Sequence, residues 1–247
     1  MSTPTAHPAL FDYPARTALG RVVPKTRIYA AGKPGRRVRD KIAQQVARIV
    51  WQYKLAPETL NLKASRAVPE IQVFTLALKP SGVTEELPDD ILRCIDRAIG
   101  FPLIFELTAS REDGAARDQL RVAASYKRRN EAEAGKWVVG EYFATEWLPA
   151  DAPRAPLPVA LDLAQLYEQM LRQLIPLPGR KGESIEALVE RHRELAVKQR
   201  DCRRLEARLH REKQFNRKIE LNRQLRELMA ELSALREPTP ESQRQHD

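Results

Sequence analysis

Residues 70–78 read EIQVFTLAL, and the pattern that starts there decides the fold. The run is β-rich and almost continuously apolar, as a strand buried on both faces must be. Pro80, Ser81 and Gly82 close it. Next comes DDILRCIDRAI (89–99), preceded by Pro88 and with acids in its first turn. Its residues Ile91, Leu92, Ile95, Ala98 and Ile99 form one apolar face, which predicts a helix. FPLIFELT (101–108) returns to strand character, with Pro102 at its start. LRVAASYK (120–127) alternates, and KWVVGEYFATEW (136–147) adds another strand after a polar link. The segments at 101–108 and 120–127 predict a long-looped antiparallel hairpin. Three successive strands favour antiparallel pairing, so the fold class is α+β: a small, mainly antiparallel sheet with packed helices, not a doubly wound parallel sheet.

Working outward, residues 1–23 read as an extended lead-in, because Pro4, Pro8 and Pro14 oppose regular structure. A basic α+β domain is expected over 24–150. Within it, Thr26–Ala30 predicts a short strand. Val38–Tyr53 predicts an amphipathic helix, since Val38, Ile42, Val46, Ile49, Val50 and Tyr53 recur at helical spacing. Prolines 149, 153, 156 and 158 mark a boundary, and a linking helix is expected within 158–175. From Gly182 to Pro238 there is no Gly or Pro, so 183–237 predicts a long charged helical arm. Residues 238–247 predict a disordered tail. Fully helical, the arm is about 80 Å long. Leu221, Leu225, Leu228, Leu232 and Leu235 follow a 4-3-4-3 spacing, a partial coiled-coil seam. Ile185, Leu188, Leu195, Cys202 and Leu209 follow another frame, and the two fail to join near Phe215. Packing on its own domain, a helical hairpin, docking on a partner and homodimerisation all remain open for the arm.

Of the 247 residues, 43% are hydrophobic, enough for a core. Cys94 and Cys202 are far apart and lack metal-like spacing, which fits a reducing compartment. No signal-peptide pattern and no 18-residue apolar stretch is present, so a cytoplasmic protein without membrane association is expected.

The net charge of +9 is concentrated in two blocks. From Arg16 to Lys54 there are eleven Lys/Arg against Asp40 alone. From Arg191 to Arg226 there are thirteen against five acids. Residues 55–182 hold sixteen bases and eighteen acids. Clustered cations attract phosphate backbones, and a solvated face is the bland alternative. The candidate nucleic-acid-binding residues are Lys25, Arg27, Lys33, Arg36, Arg37, Arg39 and Lys41, around the loop-like GKPGRRVR (32–39). Lys127, Arg128 and Arg129 join them, next to Tyr126, which is placed to stack on a base.

Catalytic signatures are weak. The four histidines have no ligand-spaced partner, no phosphate-cradling loop exists, and neither a metal nor a cofactor is expected. One arrangement suits a Mg²⁺-dependent nuclease: Asp96 or Glu106 as the metal-holding acid, with Lys127 on the next strand. There, Ser125 stands where a second carboxylate is needed.

Several strings together resemble a bacterial family known only as domain of unknown function 4391. They include Pro24-Lys25, the run VWQYKLAPETLNL (50–62), EIQVF (70–74), Ile95-Asp96, Tyr126-Lys127 and YFATEW (142–147). The resemblance implies a companion of helicases and DNA methyltransferases in restriction-like, anti-phage systems. On that basis the chain is expected to be a non-catalytic accessory subunit. It would contact nucleic acid, DNA in preference to RNA, and dock a helicase or methyltransferase through 183–237. A Mg²⁺-dependent nuclease and a purely structural adaptor are the alternatives.

Overall fold

The computed structural model describes residues 7–79, 87–109, 118–130, 133 and 137–237. The expected tail at 238–247 lies outside the described residues. The chain divides into two compact units, Met1–Leu174 and Ile175–Asp247.

The first unit is built on a seven-stranded sheet. Its strands are β2 (Ala18–Val22), β3 (Val46–Leu55), β4 (Ile71–Leu78), β5 (Leu103–Ala109), β6 (Gln119–Arg129) and β7 (Trp137–Ala144), in that spatial order. The short β8 (Leu148–Pro149) also pairs with β6. Every pairing is antiparallel except β4–β5. That parallel pair needs a crossover, which α4 (Asp89–Ala98) supplies. β4 sits in the middle and is buried along nearly its whole length, as its apolar run requires. Ile91, Leu92, Cys94 and Ile95 of α4 pack on Phe74, Leu76, Phe105 and Ala123, the core of the unit. α5 (Leu163–Arg172) buries Leu166, Tyr167, Met170 and Leu171, and Asp162 caps it by accepting from the Gln165 N–H at 2.8 Å.

Three expectations need correction. Residues 7–22 are not a lead-in. β1 (His7–Asp12) pairs in parallel with β9 (Arg154–Pro156), and β2 joins the main sheet. Burial of Leu10, Phe11 and Tyr13 holds this segment down. The strand expected at 26–30 is α1 (Lys25–Gly32), started by Pro24. The helix expected over 38–53 stops early. α2 spans Arg36–Gln45 and the chain then runs into β3. The short α3 (Pro57–Leu60) follows β3.

The second unit is a helical hairpin rather than one long helix. α6 (Ile185–Arg211) and α7 (Phe215–Arg236) are separated by Glu212–Gln214. Leu195 and Cys202 of α6 pack with Leu225, Leu228, Leu232 and Leu235 of α7, so the leucine seam is used within the chain. Lys198 Nζ meets Glu231 at 2.5 Å across the stem. At its root Arg191 is buried. It forks onto Glu183 at 2.7 and 2.8 Å and donates to the Pro178 and Leu235 carbonyls, each at 2.7 Å. Arg180 donates to the Ala234 and Glu237 carbonyls, so two guanidinium groups occupy the open carbonyls at the end of α7. No described helix is long and apolar enough to cross a membrane.

Candidate nucleic-acid interface

The GKPGRRVR stretch forms the junction of α1 and α2. Lys33 ends α1 in the left-handed region at φ 44°, its N–H donating to the Tyr29 carbonyl at 3.0 Å. Pro34 and Gly35 complete the turn, and α2 starts at Arg36 without a side-chain cap or an acid in its first turn. Arg36 and Arg37 therefore sit at the positive end of the helix dipole, a placement that weakens the helix. The α1–α2 pair packs over α4 through buried Ile28 and Ile42, which leaves the cations outside.

Five of the seven cations expected here face solvent: Arg27, Lys33, Arg36, Arg37 and Arg39. The Arg36–Asp40 contact is 3.9 Å long with the Arg36 side chain 96% exposed, so it contributes next to nothing. Arg39 is better fixed. It donates to the Pro34 carbonyl at 3.1 Å and lies over the Tyr29 ring at 5.6 Å. The other two cations are engaged inside the unit. Lys25 donates to the Val46 carbonyl, and burial, followed by the charge of Lys79, lowers its amine from the ordinary value. Lys41 is paired with Asp90 at 2.5 Å. Two arginines of α4 were missed by sequence reasoning. Arg93 and Arg97, with Lys33, line a cavity of about 190 Å³ between the α1–α2 turn and α4. Arg93 also donates to the Val139 and Gly140 carbonyls at 2.8 and 2.9 Å. Their i, i+4 spacing is the sequence signal for a shared edge of α4, beside the apolar face formed by Ile91, Leu92 and Ile95.

Lys127 is a correction to the expected surface. Its side chain is 1% exposed. The ammonium donates to the Asp96, Ile99 and Phe101 carbonyls at 2.6, 2.6 and 2.9 Å and lies 3.2 Å from Asp96 Oδ1. The Trp137 ring covers it at 5.5 Å. Three carbonyl acceptors call for three N–H donors, which only the protonated amine has. Lys127 therefore caps the C-terminal end of α4 from β6. Burial pushes Asp96 up from its ordinary value and Lys127 down, and each charge opposes the other's shift. Tyr142 donates to Asp96 Oδ2, and its own hydroxyl is raised first by burial and then by the Asp96 carboxylate.

Glu106 does not join this group. On β5, Phe105 faces α4, so the alternation of the strand turns Glu106 to the other side of the sheet. There it meets Arg154 of β9 at 2.8 Å. Asp96 and Glu106 thus share no site, and Ser125 is buried between strands. Among the described residues no group of three His, Cys, Asp or Glu is placed to hold a metal ion. Arg128 and Arg129 lie at the exposed end of β6, with Arg129 over the Trp137 ring at 4.8 Å and donating to the Arg66 carbonyl.

A family described as Domain of unknown function (DUF4391) matches residues 11–232. No curated protein and no solved structure matches the chain.

Proposed function

We propose, from the premise that the chain belongs to the DUF4391 family, whose description names no activity, that it is a non-catalytic accessory subunit that contacts nucleic acid. One observation carries this reading: Arg27, Lys33, Arg36, Arg37 and Arg39 are all exposed on α1, α2 and their junction, where the one acid is Asp40. Folding gains nothing from two arginines at the positive end of α2. A polyanion outside the protein supplies the missing counter-charge, and it gains entropy by releasing its own counterions. In the restriction-like, anti-phage setting implied by the family resemblance, the nucleic acid is DNA. The protein partner is a helicase or methyltransferase docked on the α6–α7 hairpin, where Val197 and Met229 are exposed apolar side chains.

The test is binding of labelled duplex DNA by the full chain and by the R36E/R37E/R39E variant, titrated against salt. Each phosphate contact contributes about 0.9 to the slope of log affinity against log salt. The variant should therefore bind at least about tenfold more weakly at low salt, with a slope flatter by about 2 to 3. Equal low-salt affinity of parent and variant overturns the assignment.

A further inference from the structure

The break at Glu212–Gln214 does more than shorten a helix. It folds the second basic block back on itself, so that the end of α6, the turn and the start of α7 form one tip. Between Arg208 and Lys218 this tip carries Arg208, Arg211, Lys213, Arg217 and Lys218 against Glu212 alone, an excess of four positive charges. All five cations are exposed. The stem is different. There several cations are matched by acids, Lys198 with Glu194 and Glu231, Arg191 with Glu183, Arg223 with Glu220 and Glu227, while Arg200, Arg203 and Arg226 are exposed with no salt bridge among the described residues. Among the described residues no salt bridge reaches any of the five tip cations. The carboxylate of Glu212 is spent on the backbone, accepting from the Lys213 and Gln214 N–H groups at 2.8 and 2.9 Å.

Helix stability does not explain the arrangement. Arg208 and Arg211 suit the end of α6, but Arg217 and Lys218 lie in the first turn of α7, which has no acid and no side-chain cap. Amid these cations Phe215 stands 75% exposed, and Ile219 one turn later is 52% exposed. A cationic surface around an exposed aromatic ring is the chemistry that grips a phosphate backbone and stacks on an unpaired base.

We propose that the tip of the hairpin is a second nucleic-acid contact, in which these five cations meet phosphates and Phe215 stacks on a single-stranded base. This rests on the reading above only for the class of ligand, since the residues are different and belong to the other unit.

The experiment measures binding of a labelled single-stranded oligonucleotide and its duplex, across a salt series, by five forms of the whole chain: the parent, R208E/R211E/R217E, its neutral counterpart R208Q/R211Q/R217Q, F215A and R36E/R37E/R39E. The tip triple should bind the single strand at least about tenfold more weakly, with a salt slope flatter by about 2, from 0.7 per lost contact. F215A should lose about fivefold or more on the single strand and little on the duplex. The neutral variant R208Q/R211Q/R217Q, which adds no repulsion within the tip, should show the same direction of change and guards against a folding defect. A tip triple that binds both oligonucleotides like the parent, while R36E/R37E/R39E loses binding, overturns this inference and leaves the proposed function standing. The reverse pattern supports the tip and sinks the α1–α2 assignment. Loss of a protein partner with unchanged oligonucleotide affinity would make the tip a docking surface for an acidic protein, which also overturns the inference.

Discussion

Replacing Lys127 by Met keeps the aliphatic stem and removes the ammonium. The Asp96, Ile99 and Phe101 carbonyls then lose their shared donor, and the Asp96 carboxylate keeps only the Tyr142 hydroxyl of its two side-chain donors. Removing one partner of a buried ion pair costs about 3–5 kcal/mol, because the remaining charge stays buried without its counter-charge. Each orphaned buried acceptor carries a penalty of its own, and the values overlap rather than add. For a unit of this size, a loss of about 3–5 kcal/mol lowers the melting temperature by roughly 6–20 °C. The assay is chemical or thermal unfolding followed by tryptophan fluorescence. Trp51, Trp137 and Trp147 all lie in the first unit, so the signal reports that unit without the hairpin. Adding Asp96→Asn to Lys127→Met removes the stranded charge and should restore part of the loss. A Lys127→Met protein that melts within about a degree of the parent would refute the capping role. Such a protein failing only in nucleic-acid binding would return Lys127 to the surface chemistry expected from sequence.

Two further outcomes follow from named contacts. Hydrogen bonding to Arg191 holds the Glu183 carboxyl below its ordinary value of 4.5, so this stabilisation is complete above that pH and is lost as pH falls through the lower, folded value. Far-UV circular dichroism of the full chain should therefore show hairpin loss beginning below about pH 4.5, and Glu183→Gln should weaken the hairpin at neutral pH while flattening that acid dependence; an identical acid profile for the variant would count against the clamp. Gly32→Ala places a Cβ 2.8 Å from the Cys94 carbonyl oxygen and 3.3 Å from its sulfur. The helix-propensity gain of about 1 kcal/mol is then outweighed by overpacking of about 1–3 kcal/mol, and a higher melting temperature would disprove the close packing of α1 on α4.

The α+β class, β4 through β7 and α4 were legible because each combines clear stops with a clear pattern, an unbroken apolar run in β4, alternation in β6 and a helical period in α4. The α2–β3 switch was not legible, and the reason lies in the backbone. β3 carries irregularities between Val46 and Arg48 and between Trp51 and Tyr53. They break the strict alternation and leave Val46, Ile49 and Val50 buried, a spacing of three and one that imitates a helix face. The β-branched and aromatic content of VARIVWQY was the better guide. The interruption of the heptad frames near Phe215 marked the place where the chain reverses. Which of the structures left open it would form depended on Leu195 and Cys202 finding the α7 seam, a non-local fact. The same limit applies to the site. The exposed arginines of GKPGRRVR were readable as a charge run, whereas Lys127 and Asp96 are 31 residues apart and their pairing depends on β6 lying beside the end of α4.

The return path of α7 has a practical consequence for deletion mapping. Because Leu235 and Glu237 come back to Arg191 and Arg180, a stop codon anywhere in 213–225 would strip the leucine seam from Leu195 and Cys202, leave the Arg180 guanidinium without its two carbonyl acceptors and cost Arg191 the Leu235 carbonyl. Such a truncated chain would report on misfolding rather than on the missing residues. Clean dissection has two endpoints, both helices kept or both removed, and finer questions about this region belong to point substitutions.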